Sequence, residues 1–270
     1  MNTINEVLES IYKDSNLRRT CIPLFRSNPG YGKSQMISQF AKKKGVNLVT
    51  FIASQRLPNE ISGIALPKQD KEEMSFFDYD TLLNMKDGDI LFFDEVLNSI
   101  PMVLNACLNL LEDRRTISGR KLADIMIIAA GNPQGATIMT PQQKERFIFY
   151  DVKFNKNIWG KYMYEKYTAI PESILSDLSD LISKESFTNS NVNYFTPRSV
   201  DKAVEMIIKN ANTPYKTTIK PILNVLIENT KEDAKLKSGY IWKKNEKISW
   251  PDLQKPLCMD FHLIVLELCQ

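Results

Sequence analysis

The sequence predicts an α/β fold: a five-stranded parallel sheet flanked by crossover helices, followed by a smaller helical domain. Two observations carry this expectation. Over the first 154 residues, short runs rich in β-branched or aromatic residues alternate with helical patterns, as successive strand–helix–strand units require. After Phe154 the strand signals fade, and helical patterns follow, separated by Pro, Asn, Ser and Thr clusters. The expected domains are therefore 1–154 and 155–270.

The strands are expected at about 22–26, 47–52, 89–94, 125–131 and 147–153. Between the first two, Met36, Ile37, Phe40 and Ala41 recur at helical spacing, and Lys42-Lys43-Lys44 before Gly45 supplies the cationic last turn and glycine stop of a helix. The second domain is expected to hold helices at 158–167, 172–184, 197–209 and 221–228. No internal repeat interrupts this pattern.

Composition excludes several classes of function. At 43% hydrophobic and 25% charged residues the chain has the balance of an ordinary globular protein, not of a disordered one. No apolar stretch approaches the roughly 18 residues that span a bilayer, and MNTINEVLES lacks the basic-then-apolar order of a signal peptide, so no membrane partner is expected and the cytosol is the expected location. Cys21, Cys107, Cys258 and Cys269 lie far apart with no CxxC pair, which points to buried thiols and not to zinc or disulfides. The only histidine, His262, sits among Phe261, Leu263 and Ile264, which argues against Ser-His and Cys-His chemistry. A net charge of +3 gives no electrostatic case for a nucleic-acid footprint over the whole surface, while a local basic patch stays open. The wealth of Lys, Ile and Asn would suit a small-genome bacterium or a phage.

SNPGYGKSQ, at 27–35, places Pro29, Gly30 and Gly32 between the first strand and the first helical pattern. A glycine-rich loop there can curl its backbone N–H groups around a phosphate, and the helix behind it adds the positive end of its dipole. The expected phosphate contacts are Asn28, Pro29, Gly30, Tyr31, Gly32, Lys33, Ser34 and Gln35, with Lys33 reaching the β- and γ-phosphates and the Ser34 hydroxyl ligating Mg²⁺. One departure from G-x-x-x-x-G-K-[ST] bears on the local backbone angle: Ser27 stands where the first glycine belongs. The plain alternative is an ordinary strand-to-helix turn.

Hydrolysis needs a metal carboxylate and a means of positioning water. In Asp89-Ile90-Leu91-Phe92-Phe93-Asp94-Glu95, four apolar residues read as a strand buried on both faces, and two carboxylates stand where it emerges. Strand alternation assigns them different jobs: Asp94 to the Mg²⁺ shell, Glu95 to orienting and deprotonating water. Asn132, after the strand at 125–131, is placed to hold that water or to sense the γ-phosphate. Arg146 precedes the last strand. Arg198 follows Thr196-Pro197, a good helix start, ahead of an apolar face at Val200, Ala203, Val204 and Ile207. An arginine in a first helical turn opposes the dipole and calls for an anion, which could be a phosphate, or Asp201 or Glu205.

In order, SNPGYGKS, ILFFDE, AAGNP, KERF and TPRS resemble an AAA+ ATPase of the MoxR-like, dynein-related branch, over about residues 20–210. Ile61 to Pro67, Leu110 to Arg115 and Trp159 add to the likeness. The resemblance implies a P-loop NTPase sheet with a helical lid, ATP and Mg²⁺ as cofactors, and a homo-oligomeric ring, usually of six subunits, with nucleotide at each interface. It implies that Arg146 is the arginine finger reaching a neighbour, with Arg114 and Arg115 as rivals, and that Arg198 is a second sensor within its own subunit. It also implies remodelling of a protein partner, a von Willebrand A-type domain being the candidate. Arginine at 146 and 198, in a chain with nine arginines against 26 lysines, suits such geometry-dependent roles. TISGRKL, 116–122, reads as a hairpin turning at Ser118-Gly119, and with 61–67 it is a candidate partner surface. Two other readings keep the loop: a nucleic-acid-dependent motor, and a scaffold that assembles on ATP with little turnover.

Overall fold

Ile90, Leu91, Phe92 and Phe93 dictate the layering of the sheet. Strand side chains alternate between faces, and each of these four is at most 1% exposed, so both faces must be covered. A computed structural model, which describes residues 4–69, 72–134, 136–167 and 196–209, has that arrangement. The chain divides into two units, Met1–Lys153 and Phe154–Gln270.

The first unit opens with helices α1 (Ile4–Tyr12) and α2 (Ser15–Thr20), then β1 (Pro23–Arg26), the glycine-rich loop, α3 (Lys33–Lys44) and β2 (Leu48–Ile52). A short helix α4 (Asn59–Ser62) leads to the antiparallel ribbon of β3 (Ile64–Pro67) and β4 (Met74–Phe77), then α5 (Asp80–Leu83) and β5 (Ile90–Asp94). After these come α6 (Pro101–Glu112), β6 (Met126–Gly131), α7 (Pro141–Glu145) and β7 (Ile148–Asp151). Strands β2-β5-β6-β1-β7, in that order, form one parallel sheet, and all five fall within the runs expected from the sequence.

On one face, Phe25, Ile90, Phe92, Met126, Ile128 and Ala130 pack with Ile37, Phe40 and Ala41 of α3 and with Ile4, Val7, Leu8 and Ile11 of α1. On the other, Leu24, Phe51, Leu91, Phe93, Ile127 and Ala129 meet Val103, Leu104, Cys107 and Leu110 of α6. Burial pushes the Cys107 thiol up to about 12, so it stays protonated. Cys21 is only half-buried, in contrast to the expected buried thiol, and caps the C-terminus of α2 just before β1. Cys258, Cys269 and His262 lie outside the described residues.

In the second unit the described helices are α8 (Lys156–Lys166) and α9 (Pro197–Lys209). Asp201 of α9 accepts from Lys166 Nζ at 2.8 Å and from Tyr167 Oη at 2.8 Å, tying the two helices together. The helices expected at 172–184 and 221–228 lie outside the described residues. Among the described residues, no helix is long and apolar enough to cross a membrane.

Candidate functional site

Parallel sheets gather ligand-binding loops at the carboxyl ends of their strands, and the loop at 27–35, Asp94, Glu95 and Asn132 lie there, whereas Arg146 stands just before the amino end of β7. The loop leaving β1 curls through Gly30 at φ 80° and Gly32 at φ 79° before α3 begins at Lys33. Left-handed residues at such positions turn successive N–H groups to one side. A Cβ built on Gly32 would meet no protein atom within 4 Å, so glycine is required there for its backbone angle and not for fit against the protein. Ser27 needs no such freedom: among the described non-glycine residues, only Glu95 and Arg114 have positive φ. Pro29 and Gln35 are exposed, and Asn28 and Tyr31 half-buried.

Lys33 is buried, and its Nζ donates to Ser27 O at 2.9 Å, to Ser27 Oγ at 2.7 Å and to Asn28 O at 3.4 Å. The next residue joins the loop to β5, for Ser34 Oγ donates to Asp94 Oδ2 at 2.6 Å. These two hard oxygen donors fit Mg²⁺, which takes one or two protein oxygens and completes its octahedron with phosphate and water. The sequence named both residues without giving their contact, which is set by the packing of α3 over the sheet.

Glu95 follows from a different cause than strand alternation. β5 ends at Asp94, and Glu95 adopts φ 56°, ψ 29°, with its N–H donating to Asp94 Oδ1 at 2.9 Å. That left-handed turn, costly for a residue with a Cβ, separates the two carboxylates. The exposed Glu95 carboxylate is bonded by the hydroxyl of Ser54, just beyond β2. Ser54 was not found from the sequence, where a serine after a strand gives no signal of its own. Asn132 follows β6, and its Oδ1 accepts from Gln134 N at 3.0 Å. Gly131 beside it admits the side chain of Leu97: a Cβ there would stand 2.5 Å from Leu97 Cγ. Glycine thus lets the turn after Glu95 close onto β6.

The arginines separate by environment. Arg114, a rival for the finger, is buried, donating to Ile125 O at 3.2 Å, Arg18 O at 2.9 Å and Arg19 O at 2.8 Å. Burial pulls its guanidinium down to about 10, still charged at neutral pH. It is a structural tie and unavailable to a neighbour. Arg115 donates to Gly119 O at 2.7 Å within its own turn. Arg146 caps the end of α7 and precedes β7, with Phe147 between them; its side chain is 30% exposed and pairs with Glu112 at 2.6 Å. Arg198 belongs to the second unit, exposed in the first turn of α9. Asp201, one anion suggested for it, is engaged by Lys166 and Tyr167.

The segment 116–122 does form a tight turn, with Gly119 N bonded to Thr116 O and Arg115 bridging Lys121. Asp78, just after β4, receives Ser118 N at 3.2 Å and the Ser118 hydroxyl, and stands 3.6 Å from Arg120. Burial of Asp78 opposes its charge, but hydrogen bonds from Ser118 and Thr116 outweigh it and hold the carboxyl below the usual range. The ribbon and the turn are therefore neighbours, and Ile64, Leu66, Met74, Phe76 and Phe77 are exposed on the ribbon.

The loop and the paired carboxylates thus lie on one segment. Residues 27–147 match the family described as AAA domain (dynein-related subfamily). The matched segment runs from Ser27 to the residue before β7 and is less than half of the chain. Two Methanocaldococcus jannaschii proteins are similar in sequence: MJ0812, 27% identical over 76% of this chain and 49% of its own length, and MJ0079, 29% identical over 47% of this chain and 33% of its own. The chain thus spans about half the length of the first and a third of the second. Among solved structures, a point mutant of Thermotoga maritima RuvB is similar over 84% of this chain and 68% of its own, at 15% identity and a TM-score of 0.53. Hsp104, in a closed state with ATPγS and FITC casein, is similar over 74% of this chain and 42% of its own, at 17% identity and a TM-score of 0.50. At these identities the likeness is one of fold, that of AAA+ P-loop NTPases.

Proposed function

We propose that the chain is an ATPase of the MoxR-like AAA+ kind, which hydrolyses Mg-ATP at the subunit interfaces of a homo-oligomeric, six-membered ring in the cytosol and uses that turnover to remodel a protein partner. The observation that carries the reading is the 2.6 Å contact between Ser34 and Asp94, which closes a glycine-rich loop onto the carboxylate end of β5. Lys33 would hold the β- and γ-phosphates. Ser34 and Asp94 would hold Mg²⁺, which neutralises phosphate charge when bound. Glu95 would accept a proton from the attacking water, and Asn132 would orient that water. Arg146, 30% exposed and held among the described residues by a surface pair to Glu112, is the arginine we assign to a neighbouring subunit's phosphate. The second unit, from Phe154, we read as the lid, with Arg198 as its sensor. The apolar ribbon and the turn beside it are the surface we assign to the partner, for which a von Willebrand A-type domain is the candidate.

The experiment is an ATPase assay against protein concentration, with wild type, Glu95→Gln and Arg146→Ala, and with wild type and Arg146→Ala mixed. Specific activity should rise with concentration, Glu95→Gln should bind ATP without turning it over, and the mixture should fall below the mean of its components. An arginine finger contributes about 10³–10⁵ in rate. Activity independent of concentration and of Arg146 overturns the ring. Strong stimulation by DNA or RNA would move the cargo from protein to nucleic acid, and partner function retained in Glu95→Gln would favour a scaffold.

A further inference from the structure

The residue that departs from the usual loop pattern is the one that touches the loop's lysine. Ser27 is 6% exposed and Lys33 9%, so the ammonium is withdrawn from water and needs oxygen partners. The two shorter of its three contacts to loop oxygens go to Ser27, 2.7 Å to Oγ and 2.9 Å to the carbonyl; the third, to Asn28 O, is long at 3.4 Å. The hydroxyl is correctly set for this, since Ser27 Oγ donates its own proton to Asn28 O at 3.1 Å and so presents a lone pair to Lys33. A glycine at this position would remove the shortest of these contacts and keep those to the two carbonyls.

We propose that Ser27 is a positioning residue for phosphate binding: its hydroxyl and carbonyl hold the Lys33 ammonium in both the free and the loaded loop and so aim it at a nucleotide's β/γ-phosphate. This rests on the nucleotide reading above and deepens it. The hydroxyl does in this chain what the glycine of the usual pattern cannot, and restoring that glycine therefore weakens the site.

The test compares wild type, Ser27→Ala and Ser27→Gly, titrated with the fluorescent probes mant-ATP and mant-AMP in the presence of Mg²⁺. The second probe lacks the phosphates that Lys33 would hold. Without the Ser27 hydroxyl the ammonium is free to settle on other loop oxygens before nucleotide arrives, a competition worth about one hydrogen bond to a charged group, so the Kd for mant-ATP should be about tenfold weaker in both variants, with mant-AMP unchanged. A variant that binds mant-ATP as tightly as wild type, or more tightly, overturns the proposal. Equal weakening of both probes also overturns it, because that is the signature of a disordered loop and not of a misplaced lysine. Wild type that fails to bind mant-ATP at all removes the nucleotide reading, and the positioning role with it.

Discussion

The two ends of the sheet carry similar side chains in opposite states. At the amino end, Arg18 and Arg19 meet Asp124 at 2.7 and 3.2 Å, and Arg114 is spread over three backbone carbonyls. At the carboxyl end, Lys33, Asp94 and Glu95 are each met by a serine: Ser27, Ser34 and Ser54. A serine hydroxyl rotates, both donates and accepts, and carries no charge, so Ser34 and Ser54 can turn and release their carboxylates to a stronger ligand while Ser27 still accepts from Lys33. An ion pair, or a guanidinium filled by carbonyls, does not yield in this way. The first end is built to stay closed, the second to exchange partners.

Breaking one contact at each end should separate binding from stability. Lys33→Ala should weaken mant-ATP binding by roughly a hundredfold, the equivalent of one strong charge-assisted hydrogen bond to phosphate, and shift the urea midpoint little. Arg114→Met should do the reverse. It leaves the carbonyls of Arg18, Arg19 and Ile125 without their donor, at a cost of about 3 kcal/mol, read as a lower urea midpoint with nucleotide affinity of the folded protein unchanged. A loss of affinity in Arg114→Met equal to that in Lys33→Ala would mean that the two ends are coupled.

The carboxyl end was legible because its chemistry is written locally: Gly30, Gly32, Lys33 and Ser34 adjoin one another, and Asp94 and Glu95 close an unmistakably buried strand. Partners set by packing were not. Ser54 and Ser27 carry no motif, and the left-handed turn at Glu95 replaces an alternation that the pattern alone suggested. The amino end was invisible for the same reason, since Arg114 reads like any arginine after a helix until α2 brings two carbonyls to it. The N-terminal helix does carry a signal, Ile4, Val7, Leu8 and Ile11 at helical spacing. The ribbon had almost none, because four-residue strands with exposed apolar side chains on both faces show no alternation.

Acid should sharpen the comparison with the smallest effect. Burial opposes the charge of Asp124, but hydrogen bonds from Arg18 and Arg19 outweigh it, and its carboxyl lies below the ordinary value. A carboxyl depressed in the folded state adds stability in full above its unfolded pKa of about 3.9, and that stability is lost as pH falls through the folded value. Urea unfolding followed from pH 6 down to pH 3 should therefore show wild type losing more stability than Asp124→Asn, whose amide does not titrate. Parallel pH curves for the two proteins would mean that Asp124 is held no better folded than unfolded, and the amino end would then be no more firmly closed than the serine contacts at the other.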